Sequence, residues 1–139
     1  LFIVTTKFQD KEDAVLASWV NQCSFDPPEV TLALGQMRNA RLLIEASQAF
    51  IVNILGKESN DLMKHFFKSH RGSIFDGLET RKGIEEIRIL NDAVSYLECR
   101  LTNRVVSGDH VVYFGEVVGG KMLKAGEPSI HVRDNGFNY

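Results

Sequence analysis

The chain has 139 residues, of which 44% are hydrophobic and 24% are charged, ordinary values for one globular domain with its own core. Its net charge of −2 excludes a general basic surface for nucleic acid, and no apolar run approaches the roughly 18–20 residues of a membrane span. Two cysteines outside any CxxC pattern imply no disulfide framework and indicate a reducing compartment. Residues 1–6 lack a signal peptide's basic leader and read as a strand already under way, so we expect a domain excised from a longer chain.

Six short apolar runs, rich in β-branched and aromatic residues, predict strands. They span residues 1–6, 14–20, 30–35, 49–55, 94–106 and 110–118. A short seventh strand at residues 121–124 is expected to follow a turn at Gly119-Gly120. In the fifth run apolar residues recur at alternate positions, which predicts one buried face formed by Leu97, Cys99, Leu101 and Val105.

Two helices are predicted among these strands, at residues 38–48 and 60–70. The polar, glycine-containing stretch 69–93 predicts a long loop. The segment from 94 to 124 leaves no room for a helix between its strands. The pattern therefore predicts a mainly β protein, an antiparallel barrel with short helical insertions, rather than a doubly wound parallel sheet.

The segment "ASWVNQCSFDPP", residues 17–28, is unusual because neither side of the expected strand is cleanly apolar. Short hydroxyl and amide side chains beside accessible backbone N–H groups suit a flat, polar ring system such as a flavin. The alternative is an edge strand whose polar groups are solvated. The two prolines end the strand because neither can donate a hydrogen bond to the sheet.

His110 follows the turn Ser107-Gly108-Asp109 and opens a strand at the rim of the expected barrel, where binding sites collect. The alternative is a turn residue that only faces water. His65 and His70 lie five apart, which does not match metal ligands on one helical face, and no metal-binding or phosphate-loop motif is found. We therefore expect no metal site.

Arg38, Asn39 and Arg41 lie at the start of the first predicted helix. A helix N-terminus with adjacent guanidinium groups attracts a phosphate, although solvated helix cations remain the alternative.

The segments "ASWVNQCSFDPP", "FIVNIL" and "GDHVVYFGEV", in this order, resemble the flavin reductase-like family of FMN-binding split barrels over almost the whole chain. With "LFIVTTK" and the closing H-x-R-x-x-G-x-x-Y pattern, the chain is most similar to the C-terminal flavin reductase domain of flavodiiron proteins from oxygenic phototrophs. In those proteins the domain follows a di-iron domain and a flavodoxin-like domain. The resemblance implies that residues 1–139 form a six-stranded Greek-key split barrel, usually a homodimer, with FMN near the dimer interface.

The resemblance also implies roles for individual residues. The isoalloxazine would be bordered by Ala17, Ser18, Trp19 and Val20. The ring or the ribityl chain would be lined by Gln22, Cys23 and Ser24. The phosphate would lie near Arg38, Asn39 and Arg41. The catalytic residue beside the nicotinamide would be His110, and the pocket would be closed by His131, Arg133 and Tyr139.

The reaction that the resemblance implies is hydride transfer from NAD(P)H to flavin N5, after which reduced FMN passes electrons to a flavodiiron core that reduces dioxygen to water. The implied location is the cytoplasm, as the cyanobacterial cytosol or, in a eukaryote, the chloroplast stroma. Two departures weaken the phosphate site. They are Leu42, where many relatives carry Ser or Thr, and the segment Gln36-Met37-Arg38, where close relatives have a Lys-Asp-Arg type. Two alternatives stay open, a flavin-poor binding or dimerisation module and a free-standing reductase that supplies a partner oxygenase.

Overall fold

The computed structural model describes residues 1–132, which contain nine β-strands and two α-helices. Strands β1 to β9 span Phe2–Phe8, Lys11–Ala17, Val20–Phe25, Pro28–Gly35, Ala49–Ile54, Thr80–Lys82, Arg88–Leu90, Ser95–Ser107 and His110–Met122. Helices α1 and α2 span Ala40–Ser47 and Asn60–Phe67. None of the helices within these residues has the length and apolar content needed to cross a bilayer.

Seven strands form one antiparallel sheet in the order β2-β1-β5-β8-β9-β4-β3, and β6 and β7 form a separate hairpin. Side chains of β2, at one edge of the sheet, and of β4, near the other edge, pack into the same core. The sheet therefore curls into a barrel, with Ala40 and Ile44 of α1 packed against the same core. The mainly β, antiparallel prediction is confirmed, with seven strands in the main sheet rather than six.

Strand β5 is buried on both faces because a second layer covers the outside of the barrel. Leu62 of α2 packs there with Phe75 and Leu90, and Ile87 and Ile89 pack against Ile51. The prediction of one long loop at 69–93 is wrong for its second half, which holds the β6–β7 hairpin and a 3-10 turn at Ile84–Glu86. The apolar side chains of this stretch pack it against the outside of the barrel.

Asn53, the last residue of the F-x-V-N pattern, joins these two layers. It is fully buried, its Nδ2 donates to the Ile3 carbonyl at 3.0 Å and to Thr5 Oγ1 at 3.3 Å, and its Oδ1 accepts the Leu90 N–H at 2.8 Å. A buried amide needs such partners to offset its desolvation. This asparagine therefore fastens the hairpin to the barrel.

Two predictions about strands β8 and β9 are wrong. No turn forms at Gly119-Gly120, since β9 runs through both glycines to Met122. A Cβ atom at Gly120 would lie 2.7 Å from the Tyr96 carbonyl oxygen of β8, so the close approach of two strands, and not a turn, requires glycine there. On β8 the register shifts between Leu101 and Asn103, which leaves Val105 50% exposed rather than buried.

Candidate functional site

The expected strand across residues 17–24 is broken in two. Strand β2 ends at Ala17, paired with Phe2 of β1, and β3 begins at Val20, paired with Leu32 of β4. Between them, the Trp19 carbonyl oxygen accepts the Ala33 N–H at 3.0 Å. Ser18 and Trp19 thus lie at the seam where the chain passes from one edge of the sheet to the other.

His110 meets Trp19 at this seam. It opens β9 opposite Gly35, the last residue of β4, and its ring centroid lies 4.8 Å from that of the indole at an interplanar angle of 39°. Its Nδ1 lies 2.7 Å from Asp109 Oδ1. The hydrogen bond from His110 lowers the pKa of the Asp109 carboxyl, which is therefore ionised at neutral pH.

The loop from β4 to α1 is fastened to the turn before His110. Gln36 donates its backbone N–H to the Asp109 carbonyl oxygen at 2.9 Å and its Nε2 to the Gly108 carbonyl oxygen at 2.7 Å. Gln36, one of the departures from the family pattern, therefore has a structural role. The fastening places the start of α1 beside the seam.

Arg38, Asn39 and Arg41 differ in their availability to a ligand. The side chain of Asn39 makes no capping hydrogen bond at the start of α1. Burial raises the pKa of the Asp13 carboxyl, and the nearby positive charge of Arg38 partly offsets that rise. Arg41 is held by Glu45, whose Oε1 lies 3.1 Å from its Nη1. Its charge is therefore compensated within the protein.

Glu45 also binds two residues of the barrel. It accepts the Tyr113 hydroxyl hydrogen at 2.7 Å and lies 3.4 Å from Arg104 Nη1. Sequence reasoning missed this residue and the Asp109 carboxylate. The sequence did contain signals for both. Glu45 follows Arg41 by four residues, a spacing that allows an ion pair on a helix, and Asp109 is next to His110.

Two buried polar atoms have no hydrogen-bond partner among residues 1–132, Ser18 Oγ and Arg41 Nε. Such atoms are rare because each costs desolvation energy, and a bound ligand is one remedy. Ser18 adjoins Trp19, and a hydroxyl there fits the carbonyls and ring nitrogens along the edge of a flavin. The residues present at the seam therefore fit this cofactor.

The other expected site residues lie further away or outside the described residues. Gln22, Cys23 and Ser24 follow along the exposed edge strand β3, where the register shifts between Gln22 and Ser24. His131 is exposed in the segment after β9. Arg133 and Tyr139 lie outside the described residues.

A groove of about 690 Å³ lies on another part of the surface, between the β1–β2 turn and α1. It is lined by Asp10, Lys11, Glu12, Asp13, Asn39, Leu42, Leu43 and Ser73. Three carboxylates repel an anion, so this groove is poorly suited to a phosphate despite containing Asn39. No group of three metal-ligating side chains comes together in residues 1–132. The seam is therefore the candidate site.

Comparison with known proteins identifies the family of the chain. The family model described as "Flavin reductase like domain" matches residues 1–137. Diflavin flavoprotein A 1 of Synechocystis sp. is 36% identical over 143 residues, which cover all of this chain and 25% of that protein. The chain thus spans about a quarter of the length of the curated relatives it matches.

Two solved structures share the split-barrel fold. The NADH:FAD oxidoreductase SgcE6 of Streptomyces globisporus, in complex with NAD and FAD fragments, superposes with a TM-score of 0.83 and 25% identity, covering 91% of this chain and 76% of that one. Nitrilotriacetate monooxygenase component B from Mycobacterium thermoresistibile gives a TM-score of 0.82 and 26% identity, covering 87% and 67%. The chain belongs to the flavin reductase-like family.

Proposed function

We propose that this chain is an NAD(P)H-dependent flavin reductase domain that binds FMN at the seam. The observation that carries the proposal is the contact of the His110 ring with Trp19, next in sequence to Ser18, whose buried hydroxyl has no hydrogen-bond partner among residues 1–132. A neighbour in structure is named an NADH:FAD oxidoreductase and holds NAD and FAD fragments, which supports a flavin and a nicotinamide dinucleotide as the two classes of ligand.

Each element of the seam has a task in this proposal. The Ser18 hydroxyl donates to a polar atom on the flavin edge, and the backbone from Ala17 to Val20 borders the ring. His110 holds the nicotinamide by a hydrogen bond, which requires no proton transfer. Bound flavin supplies the acceptor for a hydride from NAD(P)H. The protein's part is to bring two rings together and to keep their edges hydrogen-bonded.

The rest of the cofactor is assigned to neighbouring elements. Arg38 holds the phosphate in this proposal, because Arg41 already pairs with Glu45 and Asn39 lines the groove that contains three carboxylates. Gln22, Cys23 and Ser24 of β3 line the ribityl chain. His131, Arg133 and Tyr139 remain proposed closing residues of the pocket.

The proposed acceptor of the electrons lies outside this chain. Because the chain matches only a quarter of a diflavin flavoprotein, we place it as one domain of a longer protein with flavodoxin-like and di-iron domains. Reduced FMN would pass electrons to that flavodiiron core, which reduces dioxygen to water. The proposed assembly is a homodimer, and the proposed location is the cytoplasm.

Anaerobic stopped-flow mixing of the FMN-reconstituted chain with NADH, and separately with NADPH, tests the proposal through bleaching of the flavin absorbance. We expect reduction by at least one dinucleotide. His110→Ala should slow it about fivefold at limiting dinucleotide, the loss of about one hydrogen bond, and leave the FMN content unchanged. His70→Ala, a change of the same kind away from the seam, is the matched control. A chain that takes up FMN but is reduced by neither dinucleotide refutes the reductase function.

A second candidate, a flavin-poor binding or dimerisation module, is favoured by one observation. At the expected phosphate site Arg41 is already paired with Glu45, and Leu42, 59% exposed, offers no hydrogen-bonding group. Titration of the colourless chain with FMN separates the candidates. Saturable binding of one FMN per chain favours the reductase, and absence of binding while light scattering shows a dimer favours the module.

A further inference from the structure

Asp109 fixes which nitrogen of His110 carries a proton. The Asp109 carboxylate is ionised and has no hydrogen to donate, so in the 2.7 Å contact the Nδ1 atom must be the donor. A neutral imidazole has a single N–H group. With the proton on Nδ1, the Nε2 atom of neutral His110 is an acceptor.

Trp19 and Gly35 fix the direction of the same ring. The indole covers one side of the imidazole at 4.8 Å. A Cβ atom added to Gly35 would lie 3.9 Å from His110 Nε2, so this nitrogen is directed toward the end of β4. No hydrogen bond to Nε2 forms within residues 1–132, and the His110 side chain is 23% exposed. Nε2 of His110 is therefore an acceptor atom with a fixed orientation at the seam.

We propose that Asp109 and Trp19 are positioning residues that hold neutral His110 with Nε2 as a hydrogen-bond acceptor for the carboxamide N–H of a nicotinamide. The inference rests on the proposed function and deepens it by giving the polarity of the contact. The carboxamide has both N–H donors and a carbonyl oxygen that accepts. Because Nε2 of this tautomer can only accept, it pairs with the N–H group of the carboxamide and not with its oxygen. In the proposed function the flavin is paired instead with the Ser18 hydroxyl, which is buried and has no hydrogen-bond partner among residues 1–132.

The tautomer can be measured without any ligand. We would label the four histidines with ¹⁵N and record long-range ¹H–¹⁵N correlation spectra at about pH 8, above the ordinary histidine pKa of about 6.5. The His110 signals are assigned by their loss in His110→Gln. We expect Nδ1 in the protonated range and Nε2 in the unprotonated range.

Variants separate the two positioning residues. Asp109→Ala should move His110 to the Nε2–H form that free imidazole favours in water, whereas Asp109→Asn, which keeps an oxygen acceptor, should retain part of the Nδ1–H form. Trp19→Leu should abolish the indole ring-current shift of the His110 ring protons, and Trp19→Phe should keep part of it. Asp61→Ala removes an exposed carboxylate on α2 and should leave the His110 signals unchanged.

Ligands test the polarity of the contact. Adding NAD⁺ to the FMN-loaded chain should shift the Nε2 signal upfield, as accepting a hydrogen bond does, while FMN alone should not. In turnover, Asp109→Ala should raise the KM for NADH or NADPH about fivefold with kcat nearly unchanged, the pattern of lost ground-state binding.

Several results overturn the inference. A wild-type His110 in the Nε2–H form, or an Asp109→Ala spectrum identical to wild type, removes the role of Asp109. His110 ring-proton shifts unchanged in Trp19→Leu remove that of Trp19. An Nε2 shift caused by FMN alone transfers the contact to the flavin. If the chain reduces no flavin while the ligand-free spectra behave as expected, the proposed function fails and the positioning of His110 stands.

Discussion

Replacing Asn53 by leucine tests whether the asparagine of the F-x-V-N pattern is structural. The change preserves most of the side-chain volume and removes all three hydrogen bonds of the buried amide. It leaves the buried Leu90 N–H without its acceptor, a loss of about 1–3 kcal/mol, and the lost contacts to Ile3 and Thr5 add about 1 kcal/mol. We expect the free energy of unfolding to fall by about 2–4 kcal/mol.

Urea unfolding at fixed protein concentration measures this loss as a lower midpoint with an unchanged slope. An unfolding entropy of about 2.1 cal/mol/K per residue over 139 residues converts it to a fall in Tm of about 7–14 °C. Amide hydrogen exchange gives a local readout, since the Leu90 amide should lose its protection. Asn21→Leu, on the exposed edge strand β3, is the matched control and should change stability by less than about 0.5 kcal/mol.

The reasoning is refuted if Asn53→Leu costs less than about 1 kcal/mol. It is also refuted if the Leu90 amide stays as protected in the variant as in the wild type. Either result would mean that apolar packing alone holds the β6–β7 hairpin against the barrel.

Three further predictions concern single side chains. In the native protein an aromatic disulfide reagent should modify exposed Cys23 and not Cys99, which is fully buried and has its pKa raised to about 12 by burial; equal labelling of both in the folded state contradicts this. Arg38→Ala should weaken FMN binding by about 1.5–3 kcal/mol in a fluorescence titration if Arg38 contacts the phosphate, with Arg71→Ala as the control, and an unchanged affinity would move the phosphate elsewhere. Burial, and then the hydrogen bond to Glu45, raise the pKa of Tyr113, so its neutral form stabilises the fold at neutral pH and that stabilisation is lost as pH rises above about 10. Urea unfolding from pH 8 to 11 should show a smaller loss for Tyr113→Phe than for the wild type, and equal losses would exclude Tyr113 as the cause.

The sequence by itself determined the class of fold and the family. Alternation of apolar residues predicts strands because side chains of a strand point to opposite faces, and the absence of helical segments after residue 94 requires antiparallel neighbours. The double proline also acts as predicted, since β3 ends at Phe25 and β4 begins at Pro28. These features depend on residues close together in the chain, and local patterns report them.

Only the tertiary structure decided which residues meet at the seam and what each glycine does. The strand breaks at Ser18 and Trp19 because the chain there passes between the two edges of the sheet, a demand that no local pattern contains. Glycine is required at position 120 of β9 because a Cβ atom there would lie 2.7 Å from the carbonyl oxygen of Tyr96 on the neighbouring strand. Arg41 pairs with the Glu45 carboxylate, which also accepts a hydrogen bond from Tyr113, on a strand far along the chain. Such contacts join distant segments, so the physical forces that set them act only once the barrel has closed.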